Sequence, residues 1–248
     1  MSSAEIEQQC EVGQRLLMEM EYLEAERVLA DAESCAWEAR DWDLLSRLYL
    51  PLQETRRQRR QRCGEGTVCL DLAARSASEI INPAAIVTDV QHGQLLIAGW
   101  GTIRPAVQVR ELAARQKLYL DTFLAAVYPV ANNRVMVIVP RVDDPLPATA
   151  PQTIDELRQV LPENALILLP GELPTGKIRG SVQTYALTMS LWERLHAPFL
   201  ARAETAGDPL ERMRLFRDTI TVDYACELAH QHLAAVASQL RRHDGSSR

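Results

Sequence analysis

The sequence predicts an α+β protein in which α-helical hairpins at both ends flank a central mixed α/β-sheet region. Three observations carry that expectation. Residues 1–62 hold one glycine, Gly13, and one proline, Pro51, and their apolar residues recur at helical spacing. Residues 64–180 hold most of the glycines and prolines, interleaved with short β-branched runs. Residues 181–243 return to the helical pattern, and the polar residues 244–248 read as a frayed tail.

Composition narrows the class further. The chain has 248 residues and 47% hydrophobic content, enough for a sizeable core, and a net charge of −6, too small to keep it unfolded. No stretch approaches the roughly 18 apolar residues of a membrane helix. The start MSSAEIEQQCEVGQ is acidic and polar where a signal peptide needs a basic residue and an apolar run. The expected protein is therefore soluble and cytoplasmic, with no membrane partner. Five cysteines, Cys10, Cys35, Cys63, Cys69 and Cys226, are an odd number without a CxxC pair, so they are expected as small buried side chains. All but two of the 27 basic residues are arginine, a bias of GC-rich bacterial genomes.

In the first region, Gly13, Ala25 and Ala32 are small residues at positions that let two antiparallel helices approach, with Leu16 and Leu29 filling the groove between them. Trp42-Asp43-Leu44-Leu45-Ser46-Arg47-Leu48-Tyr49 then gives Trp-x-x-Leu-small-x-x-Tyr, with Gly13 and Ser46 in one small-residue slot 33 positions apart. This resembles the start of a tetratricopeptide repeat over about one and a half repeats. After Pro51, the run Arg56-Arg57-Gln58-Arg59-Arg60-Gln61-Arg62 dilutes the apolar pattern, so no second helix of a repeat is expected there. The run reads either as a phosphate-binding stripe or as the solvated end of a helix whose dipole favours cations. No aromatic residues are interleaved and the chain is acidic, which argues against nucleic acid as a partner.

In the central region, Val68–Leu72, Ala85–Val87 and Gln94–Ala98 are strand candidates. Thr102 and Pro105 open a helix through about Gln116. Residues 118–130 fit either a helix or a strand, and Asn132-Asn133 before Val135–Val139 favours a hairpin. Arg141–Pro151 is a proline-rich loop, Thr153 and Glu156 form a capping box for a short helix, and Ala165–Leu169 reads as a buried strand. Gly171 through Gly176-Lys177 matches half of a phosphate-binding loop. However, Ile178 replaces the magnesium-binding hydroxyl and Pro174 removes an N–H, so a plain connection from sheet to helix is expected.

In the last region, Phe216–Tyr224 resembles the closing half of a tetratricopeptide unit, with Tyr224 where that family usually has proline. Glu193, His196 and Phe199 recur 34 positions later as Glu227, His230 and Leu233. Pro198 is expected to kink its helix or to start a new one. Because one and a half repeats are too few to bury their own apolar faces, the two helical ends are expected to pack together.

The resemblance implies an interaction scaffold, so a protein–protein interaction or scaffolding role is expected, with another protein or peptide as partner. Trp42, Tyr49, Arg56, Arg57, Arg59 and Arg60 are the interaction candidates. One alternative is a small-molecule binder or enzyme with a site at the strand ends, near Asp71, Asp89, His92, Trp100 and Asp121, where open sheets place ligands. Another is a metalloprotein. Two Glu-x-x-His motifs, Glu193/His196 and Glu227/His230, form half of a di-iron ligand set, to which Glu24, Glu26 or Glu38 would add carboxylates. Against the metal, both histidines lie on apolar helical stripes, as packing histidines do. No catalytic residue is assigned, no cofactor is expected, and nothing in the sequence bears on oligomeric state.

Overall fold

The structure, a computed structural model, describes residues 3–131 and 133–246. It is an α+β fold with nine helices and a six-stranded mixed sheet among the described residues. Residues 1–60 and 196–248 form one compact unit and residues 61–195 another.

The first unit is helical. It contains α1 (Ser3–Met18), α2 (Tyr22–Glu38), most of α3 (Trp42–Glu65), the second half of α7 (Val182–Thr205), α8 (Pro209–Val222) and α9 (Glu227–Ser246). Its core draws on both ends of the chain: Ile6, Leu29, Leu45 and Leu48 pack in one cluster with Met213, Phe216, Ala229 and Leu233. Gly13 explains the closeness of the first hairpin, since a Cβ there would sit 2.5 Å from Leu29 Cγ. The turns after α1 and α2 are alike. Met20 and Arg40 each adopt a left-handed φ, and the next residue's N–H closes back onto Leu16 or Ala36, satisfying helix-end carbonyls.

Two prolines do less than their residue type predicts. α3 runs through Pro51 and α7 through Pro198 as single 24-residue helices. Of the two outcomes expected at Pro198, a kink or a new helix, no new helix starts there, and the arginine run lies on a continuing helix. A lost N–H costs one backbone bond, which the packing of the rest of the helix outweighs. α9 continues to Ser246, into the stretch read as a frayed tail, of which residues 247 and 248 lie outside the described residues.

The second unit is built on a sheet in the order β5-β4-β3-β2-β1-β6. Strands β1 (Thr67–Ala73), β2 (His92–Trp100) and β3 (Tyr119–Val130) are parallel, joined through α4 (Pro83–Asp89) and α5 (Arg104–Arg115). β4 (Asn133–Ile138) returns antiparallel to β3, forming the hairpin that the sequence favours. Asn132 in its turn lies outside the described residues. β5 (Leu166–Leu168) and β6 (Ile178–Arg179) are short edges, separated in sequence from β4 by α6 (Ile154–Val160).

Leu95, Ile97, Leu124, Val135 and Val137 pack with Ala106 and Val109 of α5 in one core. Gln94 is buried with Thr188 Oγ1 donating to its Oε1 (2.6 Å), and Phe123 stacks on Trp192 at 4.2 Å, so α7 residues pack against the same sheet.

Three expectations change in this unit. Ala85–Val87 is helical, because the Asn82 side chain accepts from the N–H groups of Ala84 and Ala85 and Pro83 suits the first turn. The strand within Ala165–Leu169 is a half-buried edge rather than a buried strand. The Gly171–Lys177 segment leads into β6 and not into a helix, so it has no helix N-terminus for phosphate. The Thr153 cap forms as expected, accepting from Glu156 N at 3.2 Å.

Candidate functional site

Three arginines of the run, Arg56, Arg59 and Arg60, lie inside the helical unit. Arg56 and Arg59 both pair with Glu26, at 3.2 and 2.6 Å. Arg60, with 1% of its side chain exposed, pairs with Asp223 at 2.7 Å. Arg59 and Arg60 also lie over the Tyr224 ring. A buried cation needs a partner, and α2 and the α8–α9 turn supply them. Arg57 pairs with Glu54 on its own helix. Neither the solvated helix end nor the phosphate stripe describes Arg56, Arg59 and Arg60, whose charges are already neutralised, while Arg62 is exposed at the helix end and pairs with Glu65. Arg60, Tyr49 and Trp42 are buried, so these three interaction candidates serve the core.

The two motif histidines have protein partners. His196 Nδ1 meets Asp223 Oδ2 at 2.7 Å. Burial alone would lower its pKa, but the Asp223 carboxylate and the Cys226 side chain together outweigh that and hold it up at about 9. Asp223 is in turn kept below the ordinary carboxylate range against its burial, by Arg60 first and then by His196. His230 is the opposite case. Burial and the adjacent Arg56 cation push it down to about 3. Its geometry agrees: Nδ1 donates to the Cys226 carbonyl (2.8 Å) and Nε2 accepts from Arg56 Nη1 (3.0 Å), which requires a neutral ring. Glu193 and Glu227 are exposed. Among the described residues no group of three or more His, Cys, Asp or Glu side chains is gathered as a metal ion needs.

A groove of about 560 Å³ opens between α2 and α8, lined by Glu33, Trp37, Arg56, Arg214, Arg217 and Asp218 among others. Glu33 accepts from Tyr49 Oη (2.9 Å) and pairs with Arg217, whose guanidinium lies 4.3 Å over the Trp37 ring. The Arg214 side chain is exposed and makes no hydrogen bond or ion pair among the described residues. The groove thus offers a fixed, half-buried aromatic ring, one face of which Arg217 covers, and an unneutralised cation. Trp37 comes from α2 and Arg214 and Arg217 from α8, so no pattern local in sequence joins the ring to the two cations.

In the sheet unit, the five ligand candidates fall in different places. Asp89 and His92 line a cavity of about 560 Å³ at the amino ends of β1 and β2, where Lys177 Nζ pairs with Asp89 and His92 Nε2 meets the Arg62 carbonyl. Asp121 is buried at the amino end of β3, in register with Gln94. Trp100 ends β2, half-buried. Asp71 lies towards the carboxyl end of β1 in a second cavity, of about 500 Å³, with Arg75, Arg134 and the Leu169–Thr175 loop. Its Oδ2 accepts from Gly176 N (2.8 Å) and its Oδ1 from the Cys69 thiol (3.4 Å). Burial pushes that thiol up to about 11, and the adjacent Asp71 adds to the effect. The sequence pointed to Asp71 and missed Arg75 and Arg134.

No known protein family, curated protein or solved structure matches this chain.

Proposed function

We propose that the chain is a protein-interaction module whose helical unit receives a short acidic peptide segment in the groove between α2 and α8. The observation that carries this reading is the combination of Arg214, a cation without a partner among the described residues, with the half-buried Trp37 ring in one groove. A peptide carboxylate would pair with Arg214 while an apolar or aromatic neighbour rests beside Trp37, the pairing of anchor and charge that dominates many interfaces. The resemblance of both helical ends to tetratricopeptide hairpins supports the same class. No catalytic activity is part of this reading.

The test is fluorescence anisotropy with labelled acidic, neutral and basic peptides. Binding of the acidic peptide that weakens with salt, and falls by about tenfold in Arg214→Glu, is the expected result. Equal binding of all three peptides, or an Arg214→Glu variant that binds as the parent does, would refute it.

A further inference from the structure

The second cavity of the sheet unit supports a binding site independent of the helical groove. We propose that the cavity at the carboxyl ends of β1 and β3 takes a phosphorylated, hydroxyl-bearing small molecule of the sugar-phosphate class, with Arg75 and Arg134 on the phosphate and Asp71 on a hydroxyl.

The strand ladder is the first argument. β1 and β2 pair Cys69 with Leu95 and next Leu72 with Ile97, so β1 carries one extra residue at Leu70-Asp71. Such a bulge is rare in a parallel pair. It forfeits regular ladder bonds and re-aims a side chain, and here that side chain is Asp71, in the wall of the cavity. The location is the second argument, because open sheets with parallel strands bind ligands beyond the strands' carboxyl ends.

Charge decides the ligand. The Arg75 and Arg134 side chains are exposed and make no hydrogen bond or ion pair among the described residues. Two unneutralised guanidinium groups bordering one cavity favour a phosphate, which their planar forks match. Ala73, Val127, Met136 and Leu173 supply apolar wall for a small carbon skeleton. Asp71 keeps lone pairs beyond the two bonds it already accepts, so a ligand hydroxyl can donate to it. The same negative charge repels a second anionic group, which disfavours dicarboxylates. The loop above the carboxylate is shaped for this arrangement. Gly171 and Gly176 adopt φ of +89° and +77°, and through Gly176 the loop delivers the N–H that fixes Asp71.

Calorimetric titration of the full chain with ribose 5-phosphate, inorganic phosphate, ribose and succinate tests the assignment. Ribose 5-phosphate is expected to bind more tightly than the other three. Arg75→Ala and Arg134→Ala should each weaken it by roughly tenfold or more, the loss of a charge-assisted bond. Asp71→Asn should weaken ribose 5-phosphate while leaving inorganic phosphate unchanged, a split that a merely structural Asp71 would not produce. Arg214→Glu should leave all four titrations unchanged, which separates this site from the helical groove. The assignment is overturned by no binding of ribose 5-phosphate at millimolar concentration, by binding that survives the Arg75→Ala/Arg134→Ala double variant, or by succinate or inorganic phosphate binding as tightly. Both arginines are exposed, so an unchanged melting temperature of the variants shows that any loss is a loss of binding.

Discussion

The two units treat arginine in opposite ways. In the helical unit, Arg56, Arg59 and Arg60 point inward and meet Glu26 and Asp223 across helices. In the sheet unit, the guanidinium groups of Arg75 and Arg134 border a cavity and make no hydrogen bond or ion pair among the described residues. The difference follows from solvent. A guanidinium enclosed by helices cannot keep its water, so its neutralising carboxylate must be built in, and the pair becomes part of the framework. A guanidinium at an open cavity stays hydrated at little cost and remains available to a ligand. The same residue type is structural in one setting and available for recognition in the other.

The sharpest way to break this contrast is substitution at both kinds of site. Arg60→Ala takes from Asp223 its first cation, leaving His196, and Asp223→Ala takes from Arg60 its buried carboxylate; each should cost about 3–5 kcal/mol in denaturant unfolding followed by helical signal. A loss below 1 kcal/mol, on the order of a surface pair, would show that the network does not hold the helices together.

The pH dependence is the next effect in size. The His196 pKa is raised from 6.5 to about 9, so its stabilising contribution is fully present below about 6.5 and is lost as pH rises towards 9. His230 is lowered from 6.5 to about 3, so it adds nothing to the pH dependence above 6.5 and destabilises progressively as pH falls from there towards 3. Asp223 and Glu26, both held below the ordinary carboxylate range, contribute further loss on the acid side. The helical unit should therefore be most stable near pH 6.5. Its alkaline limb should have a slope of up to about 1.4 kcal/mol per pH unit. Melting curves of His196→Gln should show that limb flattened; an unchanged limb would remove His196 from the account.

The smallest effect sharpens the comparison from the other side. Arg75→Ala or Arg134→Ala should change stability by no more than about 0.5 kcal/mol in the absence of ligand, because neither side chain holds anything in place. A loss as large as that of Arg60→Ala would erase the distinction between the two kinds of arginine.

Much of the secondary structure is legible in the chain. The helical ends follow from apolar spacing, the hairpin from Asn133 and the β-branched run after it, and α6 from the Thr153 cap. Ala85–Val87 is helical because its two β-branched residues, Ile86 and Val87, are too few to outweigh an Asn82-Pro83 helix start, which is itself a local signal. The site residues are harder. Asp71 was visible as a carboxylate on a strand, whereas Arg75 and Arg134 had no pattern to join them, being contributed by the end of β1 and by a hairpin further along the chain.

The sequence alone determined what depends on neighbours within about one turn or one hairpin: helix periodicity, caps, tight turns and the small residues, such as Gly13, that permit close approach. Tertiary structure alone decided which charges were neutralised. Arg56 meets His230 across 174 residues of chain, and Arg217 meets Glu33 across 184. No local rule reaches that far. Whether an arginine is enclosed with a carboxylate or left facing a cavity depends on which elements the fold brings together and how much water remains between them.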